Sequence, residues 1–543
     1  MRISARYAWG LFLTVGIWLS PVGSAMDLHV GISGEPWDLD PALYTDIASA
    51  WIVQNVYDPL VELSTSGEPV PEYSLARAWE FNGDATQITL HLREGVLFHD
   101  GSQLTAEDVK YNFDWILNPT NKSPVRKDIG PIESVKVIDP HTLVINFTRP
   151  FPEALIYWSR ALAGIVPKGA RTSGRSESPL SRNPIGTGPF RFSSWEPGVR
   201  IVLEPFRKYW MPGVPAPGIE KVVFEFFPDD AAKLSALIAG AIQLVDWVSP
   251  RDYLALSGRE GIELGRVPGI QHQYLALNLM SHPFGITPEE VDDQQAIARA
   301  LAARKFMMYA IDREEIRDEV FYGMATILYG PWYPDSEWFS PKLRGRVLHD
   351  PELARQYLEE YYSLGGEKPL SFGIIATNSG WFVDVATLIQ SQLSEYEVVA
   401  EVIPLEKTTL FATLKTTDWE AAVEDWAHGI PSVLRWLYSG YYKVPNHNNW
   451  YHQVPDLPEG FFPTHPGHDE FCRLYDLAAV EPDETRRKEL VWQMEEMLVG
   501  NVIRVDLMMV DSLLAWREGL RGYREGAELL GTLHLKTILG VEG

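Results

Sequence analysis

Between Leu370 and Leu405 the chain reads strand, helix, strand. "LSFGIIA" (370–376) is an apolar run of strand length, and "YEVVAEVIPL" (396–405) is a second one. Between them Val385, Leu388, Ile389 and Leu393 share one face of a helix. Two strands joined through a helix cannot close as a hairpin. The crossover demands parallel pairing, with the helix packed on one face of the sheet. The second half of the chain is therefore predicted to hold an α/β layer.

The first third is punctuated differently. Ile88, Leu90 and Leu92 alternate with polar residues, Asp100-Gly101 is a tight-turn signal, and Thr105 can cap a helix with Asp108 reaching back three residues later. Val109, Phe113, Ile116 and Leu117 then line one helical face. Leu143, Ile145 and Phe147 form another alternating strand, which Pro150 ends. Residues 64–183 read as an α+β unit whose tail, "PKGARTSGRSESPLSRNP", is an exposed loop. Further on, "KVVFEFFPDD" leads from a strand into a helix at 229–240, and Asp293–Ile311 carries an apolar helical face. Asp350-Pro351 opens another helix that Gly365 closes.

Arg2 and Arg6, the apolar run Ala8–Leu19 and the small residues Gly23, Ser24 and Ala25 make residues 1–25 a secretory signal peptide. The run is too short for the ~20 residues of a spanning helix. The expectation is a soluble exported protein of about 518 residues in a Gram-negative periplasm. Cys472 is the sole cysteine, so no disulfide and no lipid-accepting cysteine are expected. Loss of the signal takes the net charge from −26 to −28, the wrong sign for phosphate contacts, so nucleic acid is not an expected partner. The length calls for more than one core.

No zinc-protease pair, P-loop or nucleophile elbow is present. "GTG" at 186–188 is a fragment of a dinucleotide fingerprint, interrupted by Pro189 and Arg191, and reads as a structural turn. His447, His452, His465, His468 and Cys472 crowd into 26 residues, a density that can bind metal, but their spacing matches no standard finger. In a Pro-, Gly- and Asn-rich context they read as a solvated loop.

"LREGVLFHDGSQLTAEDVKYNF" (92–113) resembles the signature of the family 5 extracellular solute-binding proteins, the receptors of peptide-type ABC importers. "LDPALYTDIASAWIVQNVYDPLVEL", "NPIGTGPFRFSSWEPG", "YLALNLMSHPF", "ARALAARKFMMYAIDREEI" and "DPELARQYLEEY" follow in the family's order. The resemblance implies an α/β, two-lobed periplasmic-binding-protein fold (class II, cluster C type) with an extra α+β subdomain in lobe one. Lobe one would comprise 26–63, 184–285 and 505–543, the subdomain 64–183, and lobe two 286–504.

The resemblance also implies a site. Peptide-binding relatives place an aspartate three residues after a lobe-two tryptophan, to pair with the peptide's amino terminus. Here Trp426 is followed at that place by Gly429, behind His428, while Asp425 precedes the tryptophan. Ligand-lining positions are further expected at Tyr44, Thr45 and Asp46 after "LDP", at Thr377, Asn378 and Trp381 in "ATNSGW", and at Lys407. The leading expectation is a monomeric receptor that passes a short peptide or peptide-like ligand to an inner-membrane permease, with no catalytic residue, metal or cofactor. An oligosaccharide or opine-like sugar conjugate is the alternative, because Gly429 replaces the acid and tryptophans stack on sugar rings. A periplasmic hydrolase or metal-handling protein using the His447–Cys472 cluster is the third.

Overall fold

The computed structural model describes residues 26–64, 67–159, 164–171, 178–427, 432–442, 467–524, 533–538 and 540–541. Residues 1–25, where a signal peptide is expected, lie outside them. The chain enters lobe one through β1 (Met26–Ser33) and α1 (Ile47–Val56). It then builds a separate antiparallel sheet from β2 (Ala76–Phe81), β3 (Gln87–Leu92), β4 (Ile132–Asp139) and β5 (Thr142–Phe147), ordered β2–β3–β5–β4. α2 (Ala106–Leu117) and the short α3 (Ala154–Tyr157) complete this α+β subdomain. Alternation gives the sheet one apolar face. Ile88, Leu90, Leu143 and Ile145 on that face meet Val109 and Phe113 of α2. The Asp108 carboxylate accepts the Thr105 backbone N–H at 2.8 Å, which fixes where α2 begins.

Lobe one resumes with β6 (Phe190–Glu196), β7 (Arg200–Pro205), β8 (Ile219–Phe227), α4 (Asp230–Ala239), β9 (Leu244–Val245) and α5 (Pro250–Leu256). β10 (Ile262–Leu277) carries the chain into lobe two. There follow α6 (Gln294–Ala310), α7 (Arg313–Glu319), β11 (Ala325–Ile327), α8 (Pro351–Ser363), β12 (Ser371–Thr377), α9 (Phe382–Ser394), β13 (Val399–Leu405) and α10 (Lys407–Thr413). β14 (Ala421–Ala427), α11 (Val433–Tyr441), α12 (His468–Ala478) and α13 (Glu484–Gly500) come next, and β15 (Arg504–Arg517) returns to lobe one.

One sheet runs through both lobes, in the order β13–β12–β14–β10–β15–β9–β1–β8–β7–β6, with β11 beside β15. β12 pairs in parallel with β13 and β14, as the crossover through α9 requires. The two long strands β10 and β15 are antiparallel and join the halves. Their ladder breaks between Val267 and Gln271, around Gly269. A Cβ on Gly269 would stand 1.7 Å from the Val510 carbonyl oxygen, so only glycine allows this approach. Each lobe keeps its own core. Val30, Phe224 and Trp516 belong to one, and Phe306, Ile374 and Ile389 to the other.

The "GTG" segment is a packing device. A Cβ on Gly186 or Gly188 would lie 2.2 Å and 2.6 Å from backbone atoms of Val56. His99, from the turn of the 92–113 motif, seats on it. Its Nε2 donates to the Gly188 carbonyl at 2.9 Å, and its Nδ1 accepts the Gly186 N–H. Burial holds this imidazole down at about 4, so it stays neutral and can do both. The histidine cluster differs from its sequence reading. His468 and Cys472 are buried one turn apart on α12 rather than in a solvated loop, because Phe471, Cys472, Leu474 and Tyr475 give that stretch a core-facing stripe. His447, His452 and His465 lie outside the described residues, among which no group of three metal-ligating side chains occurs. Among the described residues no helix is long and apolar enough to cross a membrane.

Candidate ligand cleft between the lobes

Parallel strands with crossover helices gather their loops at the carboxyl ends, which is where α/β sheets place ligands. The lobe-two positions expected from sequence collect at that edge. Thr377 ends β12 and is buried, and Asn378 donates its backbone N–H to Leu405 and its side-chain amide to Glu406. Trp381 stands at the start of α9, Lys407 is exposed at the start of α10, and Asp425 and Trp426 close β14. His428 and Gly429 lie outside the described residues. In lobe one Tyr44 is buried and Thr45 exposed. The Asp46 carboxylate accepts the backbone N–H and the hydroxyl of Ser49 at 2.8 and 2.6 Å, so it caps α1. No described contact joins these three residues to the lobe-two group.

The two faces of β14 carry different neighbours. Ala421 and Val423, with Leu275 and Leu277 of β10, pack on Val385, Ala386 and Ile389 of α9. Ala422, with Tyr274 and Ala276, packs on Leu410 of α10. Alternation puts Asp425 on the α9 face and Glu424 and Trp426 on the α10 face. The Trp426 ring, half-buried, lies 5.8 Å from that of Trp436 at an interplanar angle of 24°. Trp436 in turn stacks on His272 and, with Tyr274, flanks the Arg504 guanidinium, which pairs with Asp506 at 2.7 Å. This buried knot packs behind Trp426.

Burial governs the two carboxylates near the end of β14, and Lys407 offsets it only in part. Burial pushes Glu424 up to about 8, the adjacent Asp425 adding to the effect and Lys407 opposing it. Burial likewise raises Asp425, again against Lys407. Among the described residues no side chain donates a hydrogen bond to either. Gln273, directly across from Asp425 in the β10–β14 ladder, is 1% exposed, and neither its oxygen nor its nitrogen has a partner.

Lobe one and its subdomain face this edge. Trp247, just past β9, meets Trp381 across the lobes with ring centroids 5.8 Å apart at 54°. The Trp381 indole N–H is buried and unpartnered. At the other side Ser432, the cap of α11, donates to the buried Glu153 carboxylate of the subdomain at 2.8 Å, and Arg435 pairs with Asp128 at 2.7 Å. Burial pushes Glu153 up to about 7 against the Ser432 hydroxyl and Arg487. Trp247, Gln273, Glu424, Glu153 and Ser432 were not singled out from sequence. The one available signal was at Gln271 and Gln273, polar residues inside an otherwise apolar strand.

Two lobes joined by paired strands, meeting through an aromatic pair, one ion pair and one hydrogen bond, have the build of a two-lobed binding protein. The family model for bacterial extracellular solute-binding proteins, family 5, matches residues 70–448, and the chain belongs to that family. It is 26% identical over 465 residues to the dipeptide-binding protein of Escherichia coli, covering 78% of this chain and 81% of the relative. It is also 26% identical over 360 residues to the glutathione-binding protein GsiB of Pectobacterium atrosepticum, covering 66% of each chain, just under two thirds of that relative. Among solved structures, the periplasmic binding protein DppA of Helicobacter pylori in complex with the peptide STSA superposes with a TM-score of 0.73 at 21% identity, covering 96% of this chain and 99% of that one.

Proposed function

We propose that this protein is the periplasmic receptor of an ABC importer and that it captures a short peptide or peptide-like compound between its lobes. The observation that carries the reading is the Trp247–Trp381 pair at the cleft. It brings aromatic surface from both lobes together, and the Trp381 indole N–H in that pair is buried and unpartnered. Closure of such a cleft desolvates a ligand's apolar parts and leaves its polar atoms facing preformed partners. Relatives whose names record a dipeptide or glutathione as ligand support this choice. In this reading residues 1–25 direct export, the protein acts as a monomer, and the closed form is what the inner-membrane permease recognises. On this reading Lys407, exposed at the start of α10, is a further ligand-lining position.

The reaction is binding alone, without a covalent step. The test is a thermal-shift and calorimetric screen of di- to pentapeptides against short glycans and opine-like sugar conjugates. Stabilisation by peptides with no consumption of them is expected. Stabilisation by glycans alone overturns the peptide reading, and turnover of a bound peptide overturns the receptor reading.

A further inference from the structure

We infer that Lys233 and Asp246 are positioning residues for ligand capture: their buried ion pair fixes the turn after β9 and so aims Trp247 at Trp381 of the other lobe. The inference rests on the receptor reading and names the device in lobe one that prepares the contact between the lobes. Lys233 lies on α4 with its ammonium fully buried, and the Asp246 carboxylate, also fully buried, is 2.5 Å from it. The same ammonium donates to the Ser33 hydroxyl at 2.6 Å and pairs with Asp230 at 3.0 Å. β1 leaves room for the lysine stem, since a Cβ on Gly31 would stand 3.1 Å from the Lys233 Cγ.

Asp246 is tied to β1 twice. Its backbone N–H donates to the Gly31 carbonyl at 3.1 Å, and its carboxylate accepts the Ser33 N–H at 2.7 Å. On the other side of Trp247, Val248 is buried in the core that α4 and β9 share, and the Ser249 hydroxyl accepts the Asp252 N–H at 3.1 Å to start α5. With both neighbours held, the backbone at Trp247 has little freedom, while its ring stays half-buried against Trp381. Stability alone is a weak reason for such a pair. A lysine and an aspartate taken wholly out of water cost desolvation that their attraction does not always repay, and apolar residues of similar volume often hold a fold as well or better. What the pair supplies is direction. It sets α4 and the ends of β1 and β9 at hydrogen-bond distances beside the lobe-one ring that meets Trp381.

The test is a double-mutant cycle read on binding. The probe is the tightest-binding compound of the peptide, glycan and sugar-conjugate panel, so the ligand class does not enter. Its dissociation constant, and the melting temperature without it, are measured for wild type, Lys233→Met/Asp246→Asn, Trp247→Ala and the triple variant. The paired substitution removes both charges and keeps an acceptor for the Ser33 N–H. It should leave the melting temperature near wild type and weaken binding about threefold to thirtyfold, the range of couplings between residues in contact. In the Trp247→Ala background it should weaken binding no further, because no ring is left to aim. Equal losses with and without Trp247, or wild-type affinity in the paired variant, overturn the inference and leave the receptor reading standing. If the paired variant melts far below wild type, Asp246→Asn alone, in which Lys233 keeps Asp230 and Ser33, goes through the same cycle under the same criteria. A panel in which nothing binds overturns the receptor reading and the inference with it.

Discussion

Trp426 and Trp436 form one stack, yet they are in different situations. Trp436 is 3% exposed and touches His272, Trp332, Tyr441 and Arg504, whereas Trp426 is half-buried. Trp436→Ala should therefore cost ~3–5 kcal/mol of stability and lower the melting temperature sharply. Trp426→Ala should leave that temperature much closer to wild type and weaken ligand binding about tenfold to a hundredfold, from ~1.5–3 kcal/mol of lost aromatic burial. Melting temperature without ligand and the dissociation constant, measured side by side, separate the two. An unchanged affinity would put Trp426 in the core. A third substitution tests the carboxylate beside it. Burial lifts Glu424 to about 8 from its ordinary 4.5, so the folded protein holds this proton more tightly than the unfolded chain does. That contribution is fully present below pH 4.5 and is lost as pH rises through 8, at up to about 1.4 kcal/mol per pH unit. Glu424→Gln keeps the hydrogen-bearing form at every pH. Thermal melts should show it close to wild type at pH 5 and more stable at pH 8. Sequence singles out Trp426 and Asp425 through the family resemblance, but Glu424 and Gln273 look like the polar half of ordinary alternating strands. Their burial is created by the packing of α9 and α10 on the two faces of the sheet, which no local pattern displays.

At the level of elements, the β12–α9–β13 unit is legible because its periods change from strand to helix and back without interruption. α2 is legible because Thr105 and Asp108 mark its start. The hinge strands are less so. Pro268 and Gly269 break the apolar pattern of β10, and such a break looks in sequence like a turn between two short strands. What makes it one strand is β15 running alongside from Arg504 to Arg517. α12 is hidden for a similar reason, since its first turn begins directly after a stretch rich in proline, glycine and histidine. Gly269→Ala tests the hinge. The added methyl meets a backbone carbonyl, which cannot rotate away as a side chain would, so the strands must part. Overpacking of this kind costs ~1–3 kcal/mol, and a lowered melting temperature together with weaker ligand binding is expected. Wild-type values for both would mean that the strands are free to shift at this point.

On the scale of the whole molecule, the lobes meet through the Trp247–Trp381 pair and through two polar contacts of the subdomain with α11. The Glu153 carboxylate is buried against Ser432 and pushed up to about 7, with Arg487 opposing that rise. Separation of the lobes returns it to water and to an ordinary value, so the closed form binds its proton more tightly. The resulting preference for closure is complete below about pH 4.5 and fades as pH rises through 7. Small-angle scattering without ligand should show a more compact particle at pH 5.5 than at pH 8. Glu153→Gln should remove most of that difference, and an unchanged difference would assign it to another group. Both polar contacts belong to the subdomain, apart from the residues proposed to grip the ligand. Escape must break the Arg435–Asp128 pair, whereas entry into the parted lobes meets no such obstacle. Residence time should therefore shorten in Arg435→Ala, or at high salt in the wild type, while the association rate constant stays nearly the same. How long this protein keeps its cargo would then be set at the edge of the subdomain and not by the strength of its grip.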